Sequence, residues 1–159
     1  MRFSRGLPFV FALATTPAAA EVDNNYFHDD AYPVEITLPR DWSISQHASY
    51  PGLRAHAVHV SGKAKMTLAI ERVPDGTSAR SYADENRRKL AEVGFRPGRL
   101  EQHPSGALVF ESTTPHRRTA LKQAYLTEGG LACILTLSAP PNLMRASVRD
   151  FDDALRNLV

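Results

Sequence analysis

From Tyr32 onward the chain alternates apolar and polar residues in short runs. Val34, Ile36 and Leu38 alternate with Glu35 and Thr37, a period of two that predicts a half-buried strand ending at Pro39. Arg40-Asp41 turns the chain, and Trp42 to Gln46 returns as a second short strand. Leu53 to Val60 and Lys65 to Arg72 read as strands separated by Ser61-Gly62-Lys63, a hairpin-type connection. The period then changes. After Pro74-Asp75-Gly76, Thr77 or Ser78 is placed to cap a helix. Ala79, Tyr82, Ala83, Asn86, Leu90 and Val93 recur at spacings of three and four until Gly94. Beyond it the strand pattern resumes over Arg99 to His103, Ala107 to Ser112, Ala120 to Thr127 and Leu131 to Ser138. Glu128-Gly129-Gly130 suits the hairpin between the last two. Pro140-Pro141 stops the last strand, and Val148, Phe151, Leu155 and Leu158 give a closing helix its apolar stripe.

Strands, a helix, several antiparallel strands and a second helix predict an α+β fold with helices packed on a mostly antiparallel sheet. The stretches "VEITLPRDWSI", "PDGTSARSYADENRRKLAEVGF", "SGALVFES" and "AYLTEGGLACILTLSAP…VRDFDDALRNL" together resemble the PsbP-like fold family, whose bacterial members include DcrB-like and LpqN-like envelope proteins. The similarity covers nearly all of residues 32–159 and lies in element order and hydrophobic spacing, not in a sharp motif. It implies an α/β/α sandwich and an accessory, binding or chaperone-like role, with no shared catalytic residues to carry over.

The first twenty residues follow a different pattern. Arg2 and Arg5 precede the apolar run "LPFVFALA", and Ala18 and Ala20 stand as in an A-x-A cleavage site, which reads as a secretory signal peptide over residues 1–20. The run is far shorter than the roughly 20 residues of a membrane span, and no cysteine follows it to carry a lipid anchor. Residues 21–31, "EVDNNYFHDDA", are polar and without period, and are expected to form a flexible mature N-terminus. Residues 32–159 then make one domain, placed in the periplasm or secreted. The signal carries two of the 19 Lys and Arg and none of the 17 Asp and Glu, so the mature chain is formally neutral. That balance removes the electrostatic case for nucleic acid. At 43% hydrophobic and 23% charged residues, the composition is that of an ordinary globular domain.

Candidate chemistry is sparse. Cys133, the single cysteine, alternates with Leu131, Leu135 and Leu137 on one face of its strand, so it reads as a packing residue with a raised pKa and not as a nucleophile. His56 and His59, three apart in a strand, face opposite sides and cannot share a metal, while His28, His47, His103 and His116 are scattered. Asp150, Asp152 and Asp153 read as the wet face of the last helix, and Asp84–Arg88 and Glu85–Lys89 as i,i+4 pairs on the first. Ser105 in "HPSGA" lies among turn residues, and no nucleophile-elbow or phosphate-loop pattern occurs. No catalytic residue, cofactor or metal ligand is assigned.

Two stretches read as contact surfaces: His116, Arg117 and Arg118 at a loop tip, and Tyr50 on a rigid turn before Pro51-Gly52. The expectation is an exported, non-catalytic accessory or chaperone-like protein that binds a protein or peptide partner in the cell envelope. No nucleic acid and no membrane span enter this reading. A small-molecule or lipid carrier and an unassigned hydrolase are the alternatives.

Overall fold

The structure is a computed structural model describing residues 21–45, 52–116 and 118–158, with backbone alone for residues 21–23. The predicted signal peptide therefore lies outside the described residues. Eleven strands and two helices follow in the order β1 (Glu21–Asp23), β2 (Tyr26–Asp29), β3 (Val34–Thr37), β4 (Trp42–Ser45), β5 (Leu53–His59), β6 (Lys65–Arg72), α1 (Ala79–Glu92), β7 (Arg96–Pro97), β8 (Glu101–Gln102), β9 (Leu108–Thr113), β10 (Ala120–Glu128), β11 (Leu131–Ala139) and α2 (Pro141–Arg156). The main sheet has eight strands in the order β4-β5-β6-β11-β10-β9-β7, with β8 also on β9, and every described pairing is antiparallel.

Alternation along the central strands assigns the two faces. Met66, Leu68, Leu135, Leu137 and Ala124 pack with Met144, Phe151, Ala154 and Leu155 of α2. Tyr125, Ile134 and Phe110 point the other way and pack with Ala83 of α1. One helix covers each face, which makes an α/β/α sandwich. Ser78 caps α1, its hydroxyl accepting from the Ser81 N–H at 3.1 Å. Gly94 closes the helix at φ 90°, its N–H reaching the Ala91 carbonyl at 3.0 Å while Phe95 N–H reaches Leu90 at 3.0 Å. Pro141, which ends the strand pattern in the sequence, occupies the first turn of α2, where its missing N–H costs nothing.

Two expectations are corrected here. Residues 21–31 are not a loose tail over their described length. β1, β2 and β3 form a second, three-stranded sheet, in which Phe27 and Asp29 are fully buried and the Asn25 and Leu38 backbones are joined at 2.8 Å. The ion pairs on α1 also differ. Asp84 meets Arg87 at 2.9 Å and Arg88 meets Glu92 at 2.5 Å, while Glu85–Lys89 forms as expected at 2.7 Å.

Candidate functional site

Of the residues expected to meet a partner, His116 and Arg118 are among the described residues, in the loop between β9 and β10. β9 ends and β10 begins at the paired Thr113 and Ala120, and the intervening loop is pinned by Thr114 N–H to Thr119 C=O at 3.0 Å and Thr119 N–H to Thr114 Oγ1 at 3.3 Å. Pro115 lies so near Gly94 that a Cβ there would approach it to 3.1 Å, so the loop base rests on the end of α1. His116 and Arg118 are exposed at its tip; Arg117 and Tyr50 lie outside the described residues. The strands on either side of Tyr50 are β4 and β5, and Leu53, which opens β5, lies with Ala69 near the C-terminal end of β6. Thr113 and Ala120 lie with Ala139, at the far end of the sheet. β5 therefore starts away from the end of the sheet that carries the His116 loop, an arrangement that local sequence cannot reveal.

A second cluster brings together what a hydrolase would need. Ser105 Oγ sits 2.9 Å from His103 Nδ1, and His103 Nε2 faces Asp152 Oδ1 at 3.7 Å. Lys122 Nζ stands 3.6 Å from the same oxygen and 3.7 Å from Glu111. The geometry is nonetheless that of a turn. His103 Nδ1 also accepts the Ser105 N–H at 3.1 Å, and Ser105 Oγ accepts the Ala107 N–H at 3.5 Å. The same device recurs in "HVSGK", where His59 Nδ1 lies 2.9 Å from Ser61 Oγ and accepts the Ser61 N–H at 3.2 Å. In both turns a glycine with positive φ, Gly62 or Gly106, donates to the histidine carbonyl, at 2.7 and 2.9 Å. His59 makes no ion pair with a described carboxylate and lies edge-on to Trp42, ring centres 5.3 Å apart. A contact made in two separate hairpins, once without an acid, is turn chemistry: the imidazole nitrogen does what an Asx side chain does for its own backbone two residues on.

The aspartates of α2 are more engaged than a wet face requires. Asp150 accepts from the Trp42 indole at 2.9 Å, Asp153 pairs with Arg156, and Asp152 is held against Lys122 and His103. Burial leads in lowering the His103 pKa from its ordinary 6.5, with Lys122 and Arg156 assisting and Asp152 opposing. The neutral ring is therefore favoured in the folded chain. The unfolded chain binds the extra proton more readily, so this contribution is complete above pH 6.5 and is lost as pH falls below it. Urea unfolding between pH 7.5 and 5 should show a decline that His103→Asn flattens, since Asn keeps an acceptor for the Ser105 N–H. An identical decline in the variant would show that His103 does not carry it.

Cys133 departs in part from expectation. It is on the α2 face with Leu135 and Leu137, but it is only partly buried, because it floors a groove. The groove, about 620 Å³, runs between β3, the ends of β6, β11 and β10, and the segment after α2; Val34, Ile70, Leu126, Leu131 and Leu158 line it. Burial pushes the Cys133 thiol up to about 12, so at neutral pH it is protonated and a poor nucleophile. No alternation in the sequence marks this groove, since its walls come from stretches spread along the chain from Pro33 to Leu158. Among the described residues no group of three or more His, Cys, Asp or Glu could hold a metal ion, and no helix is long and apolar enough to cross a membrane.

Two helices on opposite faces of an antiparallel sheet, with a small N-terminal sheet beside one of them, define an α+β sandwich. That fold is PsbP-like. The solution structure of cyanobacterial PsbP (CyanoP) from Synechocystis sp. is similar over 96% of this chain and 98% of its own, with a TM-score of 0.55 and 11% identity. LpqN of Mycobacterium tuberculosis, described as involved in cell envelope biogenesis, is similar over 79% of this chain and 82% of its own, at a TM-score of 0.55 and 12% identity. A Pseudomonas aeruginosa protein of unknown function matches over 84% of this chain and 88% of its own, at 0.53 and 14%. At these identities the likeness is one of fold. No protein-family profile and no curated protein matches the sequence.

Proposed function

We propose that this chain is an exported, non-catalytic accessory protein of the cell envelope that binds a protein or peptide partner. The observation that carries the reading is the duplicated histidine–serine turn: the contact that most resembles a nucleophile and its base recurs in a second hairpin, with no acid paired to its histidine among the described residues, where it organises backbone. Cys133 is protonated, and the α2 aspartates serve a tryptophan and two cations. The fold shared with LpqN, together with residues 1–20 read as a signal peptide, supports an envelope location.

The loop between β9 and β10 is the surface we assign to the partner. Its base is fixed and its cationic tip is exposed, so binding there costs little ordering entropy. The test is capture from envelope extracts with the protein isolated from the envelope, whose intact mass should begin at Glu21. Replacing Arg117 and Arg118 together with alanine should weaken capture. Stability should stay within about 0.5 kcal/mol, as for other exposed substitutions, and added salt should weaken capture of the unaltered protein. Undiminished capture by the double variant would remove the loop from the interface, and a mass that retains residues 1–20 would remove the export step.

A further inference from the structure

We propose that the groove flooring on Cys133 binds the hydrocarbon chain of a single-chain amphiphile with an anionic head, of the fatty-acid class, with the head at Arg72. This goes beyond the partner reading and does not rest on it. Strand register lays out the site in rows on the α2 face. Arg72, Leu131 and Glu128 are successive partners across β6, β11 and β10 and form the mouth, and Ile70, Cys133 and Leu126 form the next row inward. Leu68, Leu135 and Ala124 follow, buried in the core cluster that includes Phe151 and Leu155 of α2. Val34 and Leu158 border the groove from outside the sheet. Its volume of about 620 Å³ falls within the range of roughly 300–1,000 Å³ of small-ligand sites.

The occupant follows from what the floor lacks. β11 is paired with β6 on one side and with β10 on the other through these rows, so the floor between them holds no free N–H or C=O. An extended peptide laid there would bury its own amides without partners, a cost that a hydrocarbon chain does not incur. Charge sets the head. A second cavity of about 360 Å³, lined by Tyr32, Gly52, Arg54, Glu71 and Arg72, meets the groove at Ile70. Arg72 is exposed and has no ion-pair partner among the described residues. The acids nearest this cavity are committed: Asp29 is taken by Arg54, and Glu71, which also lines it, accepts from the Tyr82 hydroxyl. Glu128 stands across Leu131 from Arg72, roughly 10 Å away at two strand spacings, and repels an anion toward the β6 side.

The probes are decanoate, dodecanoate and the uncharged dodecanol, titrated into the mature chain by calorimetry. Dodecanoate should bind at one site, more tightly than decanoate by about fourfold per added methylene, and should slow alkylation of Cys133. Arg72→Gln should weaken dodecanoate about fivefold, the worth of one exposed ion pair, and leave dodecanol unchanged. Cys133→Phe should abolish both, and Leu131→Trp at the partly exposed mouth obstructs the same space should the first variant fail to fold. Binding that survives both groove variants, or no saturable binding, overturns the site. Dodecanol binding as tightly as dodecanoate, with Arg72→Gln without effect, overturns the anionic head.

Discussion

Replacing Arg54 with alanine is expected to cost about 3 kcal/mol of folding stability, the scale on which removal of one partner strands a buried charge. Asp29 has no exposed surface. Its Oδ1 accepts the Ala31 N–H at 2.9 Å and its Oδ2 accepts from Arg54 Nε, so the guanidinium is the only cation it meets among the described residues. Arg54 reaches it because the β5–β6 register shifts between Leu53 and Ala55, a bulge that re-aims one side chain, and because the ring of Tyr32 supports the guanidinium at 5.2 Å. The Arg54 side chain is 27% exposed, which keeps the estimate at the lower end of the range for fully buried pairs. Removing both charges, as Asp29→Asn with Arg54→Met, should recover most of the loss. Urea unfolding measures each variant, and a loss below 1 kcal/mol for Arg54→Ala would mean that Asp29 finds solvent or another donor.

The second large effect is expected at Trp42. Its indole is 2% exposed, on the edge strand β4, and it donates to Asp150 of α2 at 2.9 Å. Trp42→Ala should therefore cost about 3–5 kcal/mol through lost burial and the space left behind. Trp42→Phe separates the two contributions: it keeps most of the apolar contact and loses the hydrogen bond, for about 1 kcal/mol. Equal losses for both variants would assign the effect to the hydrogen bond and not to packing.

The main sheet was legible because its strands declare themselves locally. The alternation of Leu131, Cys133, Leu135 and Leu137 put Cys133, Leu135 and Leu137 on one face of their strand, which α2 covers, and of the two cap candidates, Thr77 and Ser78, the second caps α1 while Gly94 closes it. What escaped depends on distance along the chain. Residues 21–29 carry few apolar side chains and no period, yet Phe27 is buried and Asn25 Nδ2 donates to the Leu38 carbonyl at 2.6 Å, contacts that no local window contains. Lys122 is one polar residue in a strand pattern, and only the packing of α2 brings Asp152 to it. The groove and its cationic rim draw on β3, β6, β10, β11 and the segment after α2, so only the assembled fold shows them. The repeated H-x-S-G pattern at His59 and His103 was present in the sequence and is the signal that would have identified both turns in advance.

That the protein works by binding, with His103 and Ser105 shaping a turn, is tested most directly by Ser105→Ala in the envelope-capture assay. The variant loses a hydroxyl that accepts the Ala107 N–H and lies against an imidazole, so stability should fall by about 1 kcal/mol or less. Partner capture should equal that of the unaltered protein. Loss of capture by a folded Ser105→Ala protein, or turnover of any substrate by the unaltered chain that the variant abolishes, would contradict the account.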